Sequence, residues 1–253
     1  MKMLPAVAAM SLLVTSCSTA QTTNTLSDAE IQGRQLAQQI LEQQPTENST
    51  NTGALKIRNA KGEQDEVYVS FFLSVKTTNW ESSYLATTAD KHGVERLVVS
   101  HRLNQPSQYF YGRTFWPEQS LLAMGEITPQ EAATKALAGS DFSLADLGLE
   151  FFHWPEQKIL KHEMRRGRSC HVLESTNPHP SANGYSRVVS WIDNETLGIV
   201  QAEAYDAKGN LLKEFYPISF KIVNGQWELQ EMEIRNDQTG SHTWLEFDLK
   251  PPV

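Results

Sequence analysis

"SWIDNETLGIVQAEAYDAKGNLLKEF", residues 190–215, decides the fold class. One strand-length run ends at Asp193, a second covers Gly198–Asp206, and a third begins at Leu211. The link between the second and third is "DAKGN", residues 206–210, in which Asp, Gly and Asn supply turn hydrogen bonds and positive φ. Connections this short join antiparallel neighbours, because a parallel crossover needs about a dozen residues or more. The same grammar continues downstream. Leu211–Val223, Trp227–Arg235 and His242–Leu249 read as strands, separated by "NG" at 224–225 and "QTG" at 238–240. Upstream, Lys158–Glu163, Ser169–Glu174 and Tyr185–Asp193 complete an antiparallel meander.

The N-terminal half repeats the two-residue period. In "VYVSFFLSV", Val67, Val69, Phe71, Leu73 and Val75 share one face, and Tyr68, Ser70, Phe72 and Ser74 the other. Ser83–Thr88, Arg96–His101 and Gln108–Trp116 are further strand candidates. Two capping boxes interrupt them. "SDAE" (27–30) opens a helix over about Asp28–Gln44 with Ala29, Leu36, Ala37, Ile40 and Leu41 on one face, and "PTENSTNTG" after it reads as a loop. "TPQE" (128–131), with Pro129 at the first helical position, opens a second helix that Gly139 ends. "FSLADLGLEFF" (142–152) reads as a short third helix capped by Ser143.

This makes ten or eleven strands and two or three helices. An open sheet of that size must curl or split. The expected fold is α+β: one strongly curved, unclosed antiparallel barrel with the helices packed into its concave face as a lid. Such an arrangement leaves room for an apolar cavity. Val69, Phe71, Leu73, Leu97, Val99, Phe110 and Phe115 are the candidate wall residues, and Leu36, Ile40 and Leu137 the candidate lid. The alternative is that they fill an ordinary dry core.

The chain begins MKMLPAVAAMSLLVTSC. Lys2 is a short positive region, and the apolar run Leu4–Val14 is too short to span a bilayer core of about 30 Å. It reads as an export signal. Val14, Thr15 and Ser16 before Cys17 resemble the bacterial lipobox, which implies cleavage ahead of Cys17 and diacylglycerol on its thiol. The alternative is an ordinary signal with an incidental cysteine. The expected division is a signal peptide at 1–16, a lipidated cysteine and polar tether at 17–25, and a single domain at 26–253. Ser18 after the cysteine points to the outer membrane by analogy with enterobacterial sorting.

The 253 residues carry 22 Lys and Arg against 30 Asp and Glu, a net charge of −8. That balance argues against a nucleic-acid partner, which needs clustered positive charge. No nucleophile elbow, zinc-protease motif, phosphate loop or dinucleotide fingerprint occurs, so no catalytic residue, cofactor or metal is expected. Asp141 and Asp146 invite an acid–base reading, but turn ordering and helix capping explain them as well. Cys170 reads as a small buried apolar residue, the alternative being a reactive thiol near Arg165, Arg166 and Arg168. Arg165, Arg166 and Arg168 form the one basic cluster, either a solvated hairpin or a contact for anionic headgroups.

Residues 190–215 also resemble the back hairpins of the LolA/LolB lipoprotein carriers. "GSDFSLADL" (139–147), the G-x-W strand "GQWELQEMEIRN" (225–236) and "TGSHTWLEFDL" (239–249) are similar to the LolA-like outer membrane lipoprotein-sorting group. The resemblance implies an open barrel around a cavity for acyl chains of lipoproteins or other lipids, with binding and handover in place of covalent chemistry. Combined with the lipobox, it implies an anchored periplasmic carrier. Such a carrier sits at the receptor end of the route or is paired with an inner-membrane exporter. The rival reading is an envelope lipoprotein that uses the fold for structure or partner binding.

Overall fold

The computed structural model describes residues 26–88, 90, 92–115, 123–181, 184–223 and 226–249, with the backbone alone at 226. Cys17, the signal, the whole tether and Trp116 lie outside the described residues. The elements run α1 (Asp28–Leu41), β1 (Ser49–Arg58), β2 (Gln64–Val75), β3 (Trp80–Thr87), β4 (Gly93–His101), β5 (Gln108–Phe115), β6 (Gly125–Ile127), α2 (Pro129–Thr134) and α3 (Leu144–Leu147). A 3₁₀ turn (Glu150–His153) follows, then β7 (Glu156–Arg165), β8 (Arg168–Thr176), β9 (Arg187–Asp193), β10 (Ile199–Tyr205), β11 (Leu211–Val223), β12 (Gln226–Asn236) and β13 (Ser241–Asp248).

All thirteen strands form one antiparallel sheet in the order β6-β5-β4-β3-β2-β1-β13-β12-β11-β10-β9-β8-β7, and no pairing joins β6 to β7 among the described residues. Two strands exceed the sequence expectation. The stretch read as a loop, "PTENSTNTG", turns into β1 at Ser49, because residues 49–53 pair with β2 and Thr52 and Gly53 pair with β13 as well. Tertiary pairing here overrides a polar, turn-like composition. The three-residue β6 pairs only with β5.

The sheet is strongly curved. β5 and β11 are seven places apart in the order, about 34 Å if flat at the usual strand spacing. Yet Tyr109 of β5 and Phe215 of β11 pack into one cluster with Leu97, Ile234 and Leu245. What they pack around is the chain between the two edge strands. Residues 128–155 run from β6 to β7 through the concave face, and Leu137, Phe142 and Leu144 from this crossover are completely buried. The Phe142 ring meets Phe215 edge-on at 5.7 Å. A second cluster of Leu36, Ala37, Phe151, Phe152, Ile159, Leu173 and Ile192 lies under α1. Helix α1 reaches β7 closely only because Gly33 has no side chain: a Cβ there would lie 2.5 Å from Lys158 N.

The capping boxes at Ser27, Thr128 and Ser143 all form. Helix α1 stops at Leu41, three residues before the expected end, and α2 stops at Thr134. Lys135 is extended, and Ala136 bridges Ser143, so Leu137 sits in a tight buried hairpin and not in a lid helix. Ala138 and Gly139 turn that hairpin with φ of 51° and 75°.

Phe142→Ala removes a fully buried ring at the centre of the crossover. It is expected to cost about 3–5 kcal/mol of unfolding free energy in urea titration. A loss below about 1 kcal/mol would show that the crossover does not hold the curved sheet together.

Candidate functional site

Alternation places the hairpin turns at two ends of the sheet. The β1–β2, β3–β4, β8–β9, β10–β11 and β12–β13 turns lie at the first end; β2–β3, β4–β5, β7–β8, β9–β10 and β11–β12 lie at the second. The crossover is bonded down toward the first end. Asp141 accepts hydrogen bonds from Ser241 Oγ (2.5 Å) and Thr243 Oγ1 (2.8 Å), and its own N–H donates to Thr243 Oγ1 (3.0 Å). Lys213 Nζ donates to the Asp141 carbonyl at 2.6 Å and pairs with Asp146 at 3.4 Å. Asp146 also caps α3 through the Ser143 N–H and accepts from Tyr185 Oη. The two aspartates of "GSDFSLADL" thus hold the crossover to β13 and β11.

Glu95 of β4, also buried, accepts from the Ala138 N–H at 3.0 Å. Gln157 of β7 donates to the carbonyls of Phe151 and Trp154, each at 2.9 Å, and accepts from Ser175 Oγ at 2.7 Å. Neither residue stood out in the sequence. A buried Glu and Gln among period-two apolar positions was the available signal, because buried polar groups need partners.

Toward the second end the described residues leave the concave face unfilled. A cavity of about 360 Å³ opens there, walled by Phe71 and Leu73 of β2, Tyr84 of β3, Leu229 and Met232 of β12, and Leu245 and Phe247 of β13. Pro45, Thr46, Glu47, Ser49, Asn51 and Glu228 surround these side chains with mostly polar groups. Phe71 stands between Tyr84 (ring centroids 5.0 Å) and Phe247 (5.8 Å). Burial pushes the Tyr84 phenol far above its ordinary value, so it is neutral at any physiological pH. The volume lies within the about 300–1,000 Å³ of ordinary ligand clefts, and the wall is apolar and aromatic.

Of the ten wall and lid candidates, Phe71 and Leu73 line this cavity. Val69, Leu97 and Val99 lie on the same face but are sealed in the core around the crossover, as is Leu137. Leu36 is buried beneath α1, and Ile40 packs partly buried beside it. Phe110 is on the wrong face: it pairs with Val98, while Tyr109 and Tyr111 take the concave positions opposite Val99 and Leu97. Phe115 is 48 % exposed at the end of β5, with the Arg113 guanidinium 4.6 Å above its ring. The missed wall residues Leu245 and Phe247 obey the same two-residue period in "SHTWLEFD".

On the convex face, Cys170 is buried with Val172, Val189 and Trp191, and burial pushes its thiol pKa up, which keeps it unreactive. The basic cluster is folded back onto the surface. Arg165 lies 4.6 Å over Trp191 and bonds Gln201, Arg166 lies 5.0 Å over Tyr216, and Arg168 faces Asp193 and Glu195. No group of three or more metal-ligating side chains occurs among the described residues, and no described helix is long and apolar enough to cross a membrane.

Glu150 accepts a hydrogen bond from the Tyr109 hydroxyl at 2.8 Å beneath the crossover. Burial raises its carboxyl to about 7, against the lowering effect of that bond. A carboxyl raised on folding contributes stability that is complete below its unfolded value and is lost as pH rises through the folded one. Glu150→Gln is therefore expected to match the parent near pH 4 and to exceed its urea midpoint at pH 8. An equal midpoint at pH 8 would contradict the buried-acid assignment.

Three solved structures share this architecture. A DUF1329 family protein from Desulfovibrio piger superposes with a TM-score of 0.69 at 20% identity, over 88% of this chain and 92% of that one. A domain assigned as an outer membrane lipoprotein-sorting protein, from Vibrio parahaemolyticus, gives 0.69 at 21% identity over 87% and 92%. A LolA superfamily protein from Nitrosomonas europaea gives 0.55 at 17% identity over 90% and 95%. At these identities the likeness is one of fold. No curated protein matches the sequence. A family model described as "Uncharacterized protein"-like matches residues 83–249, about two thirds of the chain. The chain therefore has the LolA-superfamily fold and belongs to the family which that model defines.

Proposed function

We propose that the protein is a lipid-anchored carrier of the bacterial envelope that holds acyl chains of lipoproteins or other lipids in the second-end cavity. The observation that carries this reading is the unfilled apolar space between Phe71, Leu73, Tyr84, Met232, Leu245 and Phe247. Each methylene moved from water into such a wall is worth about 0.8 kcal/mol. A chain of a dozen or more methylenes is held by burial alone, and the site has no need of a covalent step. Sharing a fold with a protein assigned to lipoprotein sorting supports the same class of cargo.

Cys17 would be the anchor and residues 18–25 the tether, with the domain facing the periplasm and the outer membrane as its seat. An inner-membrane exporter is the natural donor of such a cargo. A second reading draws on the crossover, which fills much of the concave face: an envelope lipoprotein with a packed core that binds a protein partner.

Native mass spectrometry of the full chain, extracted from membranes in mild detergent, separates the two. The carrier is expected to retain acyl species of lipid mass, and Leu73→Trp, which fills the cavity, is expected to lose them while staying folded. A protein that is always empty, or a Leu73→Trp variant with unchanged occupancy, would contradict the carrier. Cys17→Ala is expected to move the protein from the membrane to the soluble fraction; unchanged fractionation would contradict the anchor.

A further inference from the structure

Two distant parts of the open sheet are joined by three side chains. Ser107, buried in the β4–β5 connection, places Oγ 3.1 Å from His101 Nδ1 and 3.0 Å from His153 Nε2. His101 ends β4, and the Trp80 indole stacks on its ring at 5.3 Å with 15° between planes. His153 ends the 3₁₀ turn that leads into β7. β4 and β7 are ten places apart in the sheet, about 48 Å if it were flat. A weaker contact runs alongside, from Gln38 Nε2 of α1 to Asn104 Oδ1 at 3.4 Å.

A serine hydroxyl has one proton to give and two lone pairs. With both rings neutral, Ser107 donates to one ring nitrogen and accepts an N–H from the other. With one ring charged, that ring donates to Oγ and the hydroxyl proton goes to the other ring. With both charged, both nitrogens donate to Oγ, the hydroxyl proton has no ring to go to, and two positive charges share one oxygen. The bridge accommodates one proton and is broken by the second.

We propose that His101, Ser107 and His153 form an acid-released clasp, which at neutral pH holds the β4–β5 connection against the 3₁₀ turn and α1 and in acid lets it swing away. The surroundings favour the uncharged state. Arg34 of α1 and Arg102 at the end of β4 line the same cavity of about 280 Å³ as the two histidines, and the one carboxylate there, Glu42, is engaged by Gln38 at 2.7 Å. On the other side of His153, Glu150 is bonded to Tyr109 and Asp146 to Ser143, Tyr185 and Lys213, with His179 lining that second cavity. Burial and the neighbouring imidazole hold His101 down to about 4, and burial lowers His153. Histidines lowered on folding contribute stability that is complete above the ordinary imidazole value and is lost as pH falls through the folded ones. The clasp therefore releases between about pH 6.5 and pH 4.

Hydrogen exchange by mass spectrometry on the full chain, at pH 7.5 and 4.5 with intrinsic rates corrected, reads this directly. Amides in 101–107 and 150–154 are expected to lose about tenfold or more of their protection at pH 4.5 while those of β9–β12 keep theirs. Ser107→Ala is expected to show low protection of both segments at both pH values. His153→Gln, which keeps a neutral hydrogen-bonding end and leaves only His101 to take up a proton, is expected to lose clearly less protection at pH 4.5 than the parent. Unchanged protection in the parent, an equal loss in every strand, or a pH step that is undiminished in His153→Gln would overturn the clasp.

Discussion

The whole architecture depends on one passage of chain. A sheet in which every neighbour is antiparallel and, among the described residues, no pairing joins the two edges leaves β6 and β7 at opposite ends of the order, and the chain must travel from one to the other. It does so through the concave face, where Leu137, Ala138, Ser140 and residues 142–146 are buried and their polar backbone is cut off from water. Buried backbone groups must find partners or cost free energy. Glu95 of β4, Thr243 of β13 and Gln157 of β7 meet that requirement from the sheet, and Asp146 meets it from within the crossover. The crossover in turn gives the curved sheet something to close around, which is why strands seven places apart share one apolar cluster.

This division sets the chemistry of the two ends. The first end is packed and pinned by buried carboxylates, one of them paired with Lys213. Truncating one member of such a pair strands the other charge, so the anchors are not interchangeable with apolar residues one at a time. Among the described residues the second end has no such filling, and its wall is Phe, Leu, Met and Tyr. Methionine and leucine walls adapt to a flexible chain without imposing a fixed shape, which suits a ligand that must also be released. The convex surface is tiled differently, with arginines lying over Trp191, Tyr205, Tyr216 and Trp244.

The antiparallel sheet was readable because its signals are local. "DAKGN" and the alternation in "VYVSFFLSV" each name a turn or a face without knowledge of the rest, and the capping boxes at Ser27 and Thr128 and the cap at Ser143 name their helices. β1 was not readable, because its Ser-Thr-Asn-Thr-Gly start looks like a loop until two strands pair with it. The cavity was half readable. Period two marks Phe71 and Leu73 as inward, but it marks Val69, Leu97 and Val99 in the same way, and only the path of the crossover decides which of them are sealed. Phe110 shows the limit of the rule: in "QYFYG" three aromatic residues run together, and register with Val98 turns the middle one outward. Asp141 and Asp146 invited a catalytic reading by type, and their partners make them anchors.

The central claim is that an acyl chain occupies the second-end cavity. The most direct measurement is photo-crosslinking of the full chain with a palmitic acid that carries a diazirine along its tail, followed by peptide mapping. The account predicts adducts on peptides that contain Phe71 and Leu73 and on those that contain Leu245 and Phe247. Adducts confined to the exposed side chains of the β11–β12 hairpin, such as Phe220 and Trp227, would contradict it, because they would show a lipid touching the surface and never entering the fold.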